Sequence, residues 1–84
     1  MKKIVDVDDE GLEGLMGERV TLFCMNYIYT GKLVGVNDVE IRLDDAAIVY
    51  ETGDFKSKTW KDAQSLPESV YIRNSAIESY TKLK

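Results

Sequence analysis

The sequence predicts a small all-β domain: a strongly bent, five-stranded antiparallel barrel with a short N-terminal helix. Three observations predict it. Hydrophobicity alternates with a period of two through most of the chain after Glu18. Turn signals built on Asn, Asp and Gly separate the alternating runs at short intervals. Gly31 and Gly35 interrupt the second run, where a strand bends sharply or meets another backbone closely.

The helix is expected over residues 8–17. Asp8 or Asp9 caps it, and acidic residues suit its positive end. Leu12, Leu15 and Met16 give it one apolar face at i, i+3 and i+4. Gly11 and Gly14 each weaken it by roughly 1 kcal/mol relative to Ala, and Gly17 ends it. Packing must therefore hold it in place.

The first strand starts at Glu18. Val20, Leu22 and Cys24 share one face, and Thr21, Phe23 and Met25 the other. Both faces are largely apolar, so this strand is covered on both sides. Met25-Asn26-Tyr27 makes a tight turn, because Asn tolerates the left-handed conformation. Tyr27 to Val36 is the second strand, and Asn37-Asp38 turns the chain again. Val39, Ile41 and Leu43 then alternate with Glu40, Arg42 and Asp44 as in a half-buried strand. Ala46 to Glu51 continues it past an irregularity at Asp44-Asp45. Thr52 to Glu68, with Gly53 and Pro67, reads as a long loop or loose hairpin tip. Ser69 to Arg73 is the fourth strand, with Val70 and Ile72 inward. Asn74-Ser75 turns the chain, and Ala76 to Leu83 is the fifth strand with Ile77 inward.

Composition narrows the function. The 84 residues suffice for one domain, residues 1–84. The net charge of −4 opposes bulk-charge binding to DNA or acidic membrane, yet permits a local basic site. There is no His, so the usual metal ligand and neutral-pH general base are missing. The single Cys24 permits no internal disulfide and no cysteine zinc site, which fits a reducing, cytoplasmic location. No apolar run is long enough to span a membrane, and the start of the chain has no secretory h-region. The sequence predicts no catalytic residue, no metal site and no cofactor.

Two segments resemble a known motif pair. Gly31-Lys32-Leu33-Val34-Gly35-Val36-Asn37, followed by Val39-Glu40-Ile41-Arg42-Leu43-Asp44-Asp45-Ala46, resembles the first Sm motif. Val70-Tyr71-Ile72-Arg73-Asn74-Ser75-Ala76-Ile77 resembles the second, apolar-x-Ile-Arg-Gly-x-x-apolar. The Sm-like family, which includes a bacterial host-factor branch, has an SH3-type barrel. The resemblance covers residues 8–83, with a helix at 8–17, first-motif strands at 18–51, a variable loop at 52–68 and second-motif strands at 69–84.

That resemblance implies a cyclic homo-oligomer of roughly five to seven subunits, closed by head-to-tail strand pairing. It implies a ribonucleoprotein that holds short single-stranded, often uridine-rich, RNA where two turns of each subunit meet at the pore. The implied RNA-binding residues are Arg73, Asn74, Asn37, Asp38 and Glu40. Arg73 matches the family Arg, whose guanidinium packs on a base. Asn74 stands where the family has Gly, and its side chain intrudes where the family leaves room. Asn37 begins the other turn in place of the family Asp. Glu40 falls where the uracil-reading Asn stands, and no stacking ring occupies that turn. A carboxylate there donates no hydrogen bond and repels phosphate. An alternative follows: a structural or protein-interaction ring that has lost base recognition.

Each residue also has a plainer reading. Arg73 pairs with Glu40 or Asp38, and Asn37 and Asn74 serve only their turns. Tyr27, Tyr29, Tyr50, Tyr71 and Tyr80 are stacking platforms or core residues. Phe55-Lys56-Ser57-Lys58-Thr59-Trp60-Lys61 interleaves aromatic and basic residues, as a backbone-and-base site does. It is equally a loop with its rings packed down and its lysines solvated. Cys24 is a small buried residue, with no His to activate it. Asp8-Asp9-Glu10 and Asp44-Asp45 lack calcium-loop spacing.

Overall fold

A computed structural model describes residues 11–84, and it is mostly β. Six strands form one antiparallel sheet: β1 (Arg19–Cys24), β2 (Ile28–Val36), β3 (Glu40–Glu51), β4 (Asp62–Ser65), β5 (Val70–Arg73) and β6 (Ile77–Thr81). The order is β4-β3-β2-β1-β6, with β5 also on β3. β4 pairs with the second half of β3, from Ala47 to Glu51. β5 pairs with its first half, from Glu40 to Leu43. The two short strands therefore share one edge of β3 at different ends. The sheet is not closed: β6 pairs with β1, and among the described residues no ladder joins it to β4 or β5.

Two bulges bend the β2–β3 ribbon. Between the pairs Thr30–Ala47 and Lys32–Asp44, β3 has one extra residue. Asp45 supplies it at φ 49°, the one positive-φ non-glycine residue among those described. The extra residue lets both Leu43 and Ala46 reach the core. It is the irregularity expected at Asp44-Asp45. The second bulge lies between the pairs Leu33–Leu43 and Gly35–Arg42, where β2 has the extra residue. Gly31 sits beside the first bend. A Cβ there would lie 3.1 Å from the Ala46 Cα, the Asp44 carbonyl oxygen and the Leu43 Cβ. The close backbone approach predicted from the mid-strand glycine is thus present.

The core is Val20, Leu22, Leu33, Ile41, Leu43, Ala46 and Ile72. Thr21, between Val20 and Leu22, is also fully buried, so β1 is covered on both faces at its centre. Val70, Ile77 and Tyr80 pack against the core from β5 and β6.

The structure corrects several expectations. No α-helix occupies 11–17; Glu13–Leu15 is a single 3₁₀ turn. Leu12 and Leu15 still pack on the core, while Met16 is exposed. Of the two glycines predicted to weaken the helix, Gly11 precedes this turn and Gly14 lies within it. The capping residues Asp8 and Asp9, and the Asp8-Asp9-Glu10 run, lie outside the described residues. The stretch 52–68 is not all loop, because Asp62–Ser65 forms β4. Val39 is exposed rather than inward, because β3 starts one residue later. The turn at Asn26 forms without the left-handed conformation, and Cys24 N–H donates to the Tyr27 carbonyl.

Candidate functional site

The turn between β2 and β3 is built by one side chain. The Asn37 Oδ1 accepts from the backbone N–H of both Val39 and Glu40, each at 2.8 Å. This is the local bond that makes Asn a turn residue. The Asn37 N–H in turn donates to the Glu40 carbonyl.

The second turn, a 3₁₀ turn at Asn74–Ala76, is fastened to the first. The Asn74 N–H donates to the Val39 carbonyl at 2.8 Å. Its side-chain Nδ2 donates to the Asn37 carbonyl at 3.0 Å. Asn74 does not use the left-handed conformation that Asn tolerates. Its side chain bridges the two turns instead of intruding into open space. The Asn74 Oδ1 is buried with no partner. An unsatisfied buried acceptor is costly, so a donor at that place is favoured.

All five sequence-predicted residues meet here. Arg73 ends β5 and lies opposite Glu40 of β3. Despite that register, Arg73 makes no ion pair with Glu40 or Asp38 among the described residues. It is exposed, as is Asp38. The pairing reading of Arg73 is therefore not the one adopted.

Tyr71, read from the sequence as a stacking platform or a core residue, is the open ring at this site. Val70 and Ile72 take the inward face of β5, so Tyr71 and Arg73 share the outward one. Tyr71 is 58 % exposed, which leaves its ring open to contact. The Arg42 guanidinium lies 5.9 Å from its centroid. A shallow depression of about 320 Å³ is lined by Asn37, Glu40, Arg42 and Tyr71, among others. The strand alternation of Val70 and Ile72 was the signal for Tyr71.

Beside Tyr71, on the same outward face, stands a polar cluster. The Ser69 hydroxyl donates to the Asp44 carboxylate, and Arg42 Nε donates to the same oxygen at 3.2 Å. These bonds, the Ser69 bond first, hold the Asp44 carboxyl below its usual value. A depressed carboxylate stabilises the fold above its unfolded pKa, and this is lost as pH falls through the folded value. Asp44→Asn is therefore expected to flatten the acid limb of stability. Thermal midpoints below pH 5, compared with wild type, check this; parallel acid limbs would contradict it.

The remaining candidates fall away from this site. The Cys24 thiol is pushed up by burial and then by the Glu78 charge, so it stays protonated. Tyr29 and Tyr80 pack on the core, whereas Tyr27 and Tyr50 are exposed. Phe55 packs edge-on to Phe23 at 6.4 Å. Trp60 is half-buried and its ring faces the Lys84 ammonium. Lys56, Lys58 and Lys61 are exposed, as the plainer reading of that loop has it. Among the described residues, no group of three or more Cys, Asp or Glu could hold a metal ion. No helix among them is long and apolar enough to cross a membrane. No protein-family model matches the chain, and no curated protein is significantly similar to it.

Proposed function

We propose that this chain is a non-catalytic Sm-like protein that forms a ring and binds short single-stranded RNA. One observation supports it most: Asn74 ties the 73–76 turn to the 37–40 turn, beside an Arg73 that makes no ion pair among the described residues. An exposed guanidinium on the same strand face as an exposed Tyr71 ring offers stacking and donors to a splayed base. Asn37, Asp38 and Glu40 form the other lip of the site.

The barrel belongs to this proposal too. β5 and β6 each have one free edge among the described residues. Pairing β5 of one copy with β6 of the next would cover both edges and close a ring of roughly five to seven subunits. Each copy then adds one weak site, and the ring multiplies them.

A second reading rests on Glu40. Its carboxylate lies in register with Arg73, in a chain of net charge −4. A ring built this way would serve protein partners or a structural role. Glu40→Asn separates the two readings, with fluorescence anisotropy of a labelled oligouridine as the readout. The RNA reading expects wild type to bind and the variant to bind at least about threefold tighter, since one repulsive charge is gone. Binding by the variant alone would favour the second reading. Binding by neither would sink the RNA reading.

A further inference from the structure

The loop after β3 encloses a cation that belongs to the chain itself. The Lys84 Nζ donates to the Asp54 and Thr59 carbonyls at 2.8 Å each, and to the Thr52 carbonyl at 3.3 Å. It also lies 4.4 Å from the centroid of the Trp60 ring. A primary ammonium has three N–H donors and no acceptor. Three carbonyls at one point therefore satisfy it fully, and the indole face adds a cation–π contact. The loop is shaped for this. Gly53 sits at φ 68°, and a Cβ there would lie 3.2 Å from the Lys61 Cβ. That left-handed residue turns the chain between the Thr52 and Asp54 carbonyls.

A second set of bonds seats the Lys84 main chain independently of its side chain. The Lys84 main-chain oxygen accepts from Trp60 Nε1 at 3.2 Å and from Thr30 Oγ1 at 2.9 Å. The buried Thr30 hydroxyl thus anchors this segment to β2. Around it lies a cavity of about 490 Å³.

We infer that the carbonyls of Thr52, Asp54 and Thr59 with the Trp60 ring form a binding site for a primary alkylammonium group, which Lys84 fills in cis. An incoming amine, free or on a lysine side chain, takes the site by displacing the Lys84 ammonium. The main-chain anchors at Trp60 and Thr30 remain when it does. The site does not depend on the RNA reading.

Trp60 is the only tryptophan in the chain, so its fluorescence reports on this site alone. The test titrates the full chain and Lys84→Ala with n-butylammonium, Nα-acetyl-lysine amide and tetramethylammonium. Lys84→Ala is expected to give a saturable emission change with the first two. Wild type should need at least about tenfold more of either probe, because its tethered Lys84 competes at high effective concentration. Tetramethylammonium, which has no N–H, should give a much weaker response. Tighter binding of butylammonium assigns a free amine as the ligand; tighter binding of the lysine amide assigns a peptide lysine. No saturable change, or an equal response to tetramethylammonium, would overturn the inference. Acylation of the wild-type protein needs no variant. Lys84 Nζ should react at least about tenfold more slowly than Lys56 or Lys58, because its three hydrogen bonds must break before it can reach the reagent. Equal rates would also overturn it.

Discussion

Arg73→Ala is expected to remove most of the affinity for single-stranded RNA. The loss per copy is about 1–3 kcal/mol, the range for deleting one stacking partner of a base. That is roughly five- to 140-fold at each site. In the proposed ring the copies act together, so the combined loss is larger. The chain itself should stay folded, because the Arg73 side chain is exposed and makes no ion pair among the described residues. Lys56→Ala removes the same charge from an exposed position in the loop after β3. Its affinity should stay within about twofold of wild type, since a single remote charge contributes little. Anisotropy titrations at two salt concentrations measure both. Equal affinity of Arg73→Ala and wild type would remove Arg73 from the site.

Leu33→Ala is expected to be the most damaging single change to the fold. Leu33 is fully buried, faces Leu43 across the β2–β3 ladder and adjoins the second bulge. Truncation deletes its packing and leaves a cavity, at about 2–5 kcal/mol. Small domains have only about 5–15 kcal/mol in total. The thermal midpoint should fall by roughly 10 °C or more, at a protein concentration matched to wild type. Val39→Ala, at a residue 58 % exposed, should change stability by no more than about 0.5 kcal/mol. Similar midpoints for Leu33→Ala and wild type would show that this core position is not tightly packed.

The legible parts of the fold were those with local signals. Period-two alternation located β1, β2, β3, β5 and β6 within a few residues at each end. The Asp44-Asp45 irregularity and the Gly31 close approach were readable, because each needs a residue type that stands out in a strand. β4 was not readable: all four of its residues are exposed, so no hydrophobic alternation marks it. Its pairing comes from backbone bonds to β3, which composition does not record. The 3₁₀ turn replaced a predicted α-helix where apolar spacing was outweighed by two glycines and a short run.

At the candidate site, the sequence located both turns but not the bond between them. Asn74 and Asn37 are far apart in sequence, and only the β3–β5 register brings them together. Asn74 departs from the family Gly, yet here it serves as the bridge. Tyr71 was legible in principle from its neighbours, but strand tyrosines more often face the core. The Lys84 contacts had no sequence signal at all, because carbonyl acceptors belong to every residue.

The central claim is a ring that holds RNA. A native mass spectrum of the protein, purified from cells without nuclease, tests it most directly. The account predicts a single multiple of the chain mass, roughly five to seven copies, with additions of oligonucleotide size. A monomer mass, with no multiple of it at any concentration, would contradict the ring and the site built upon it.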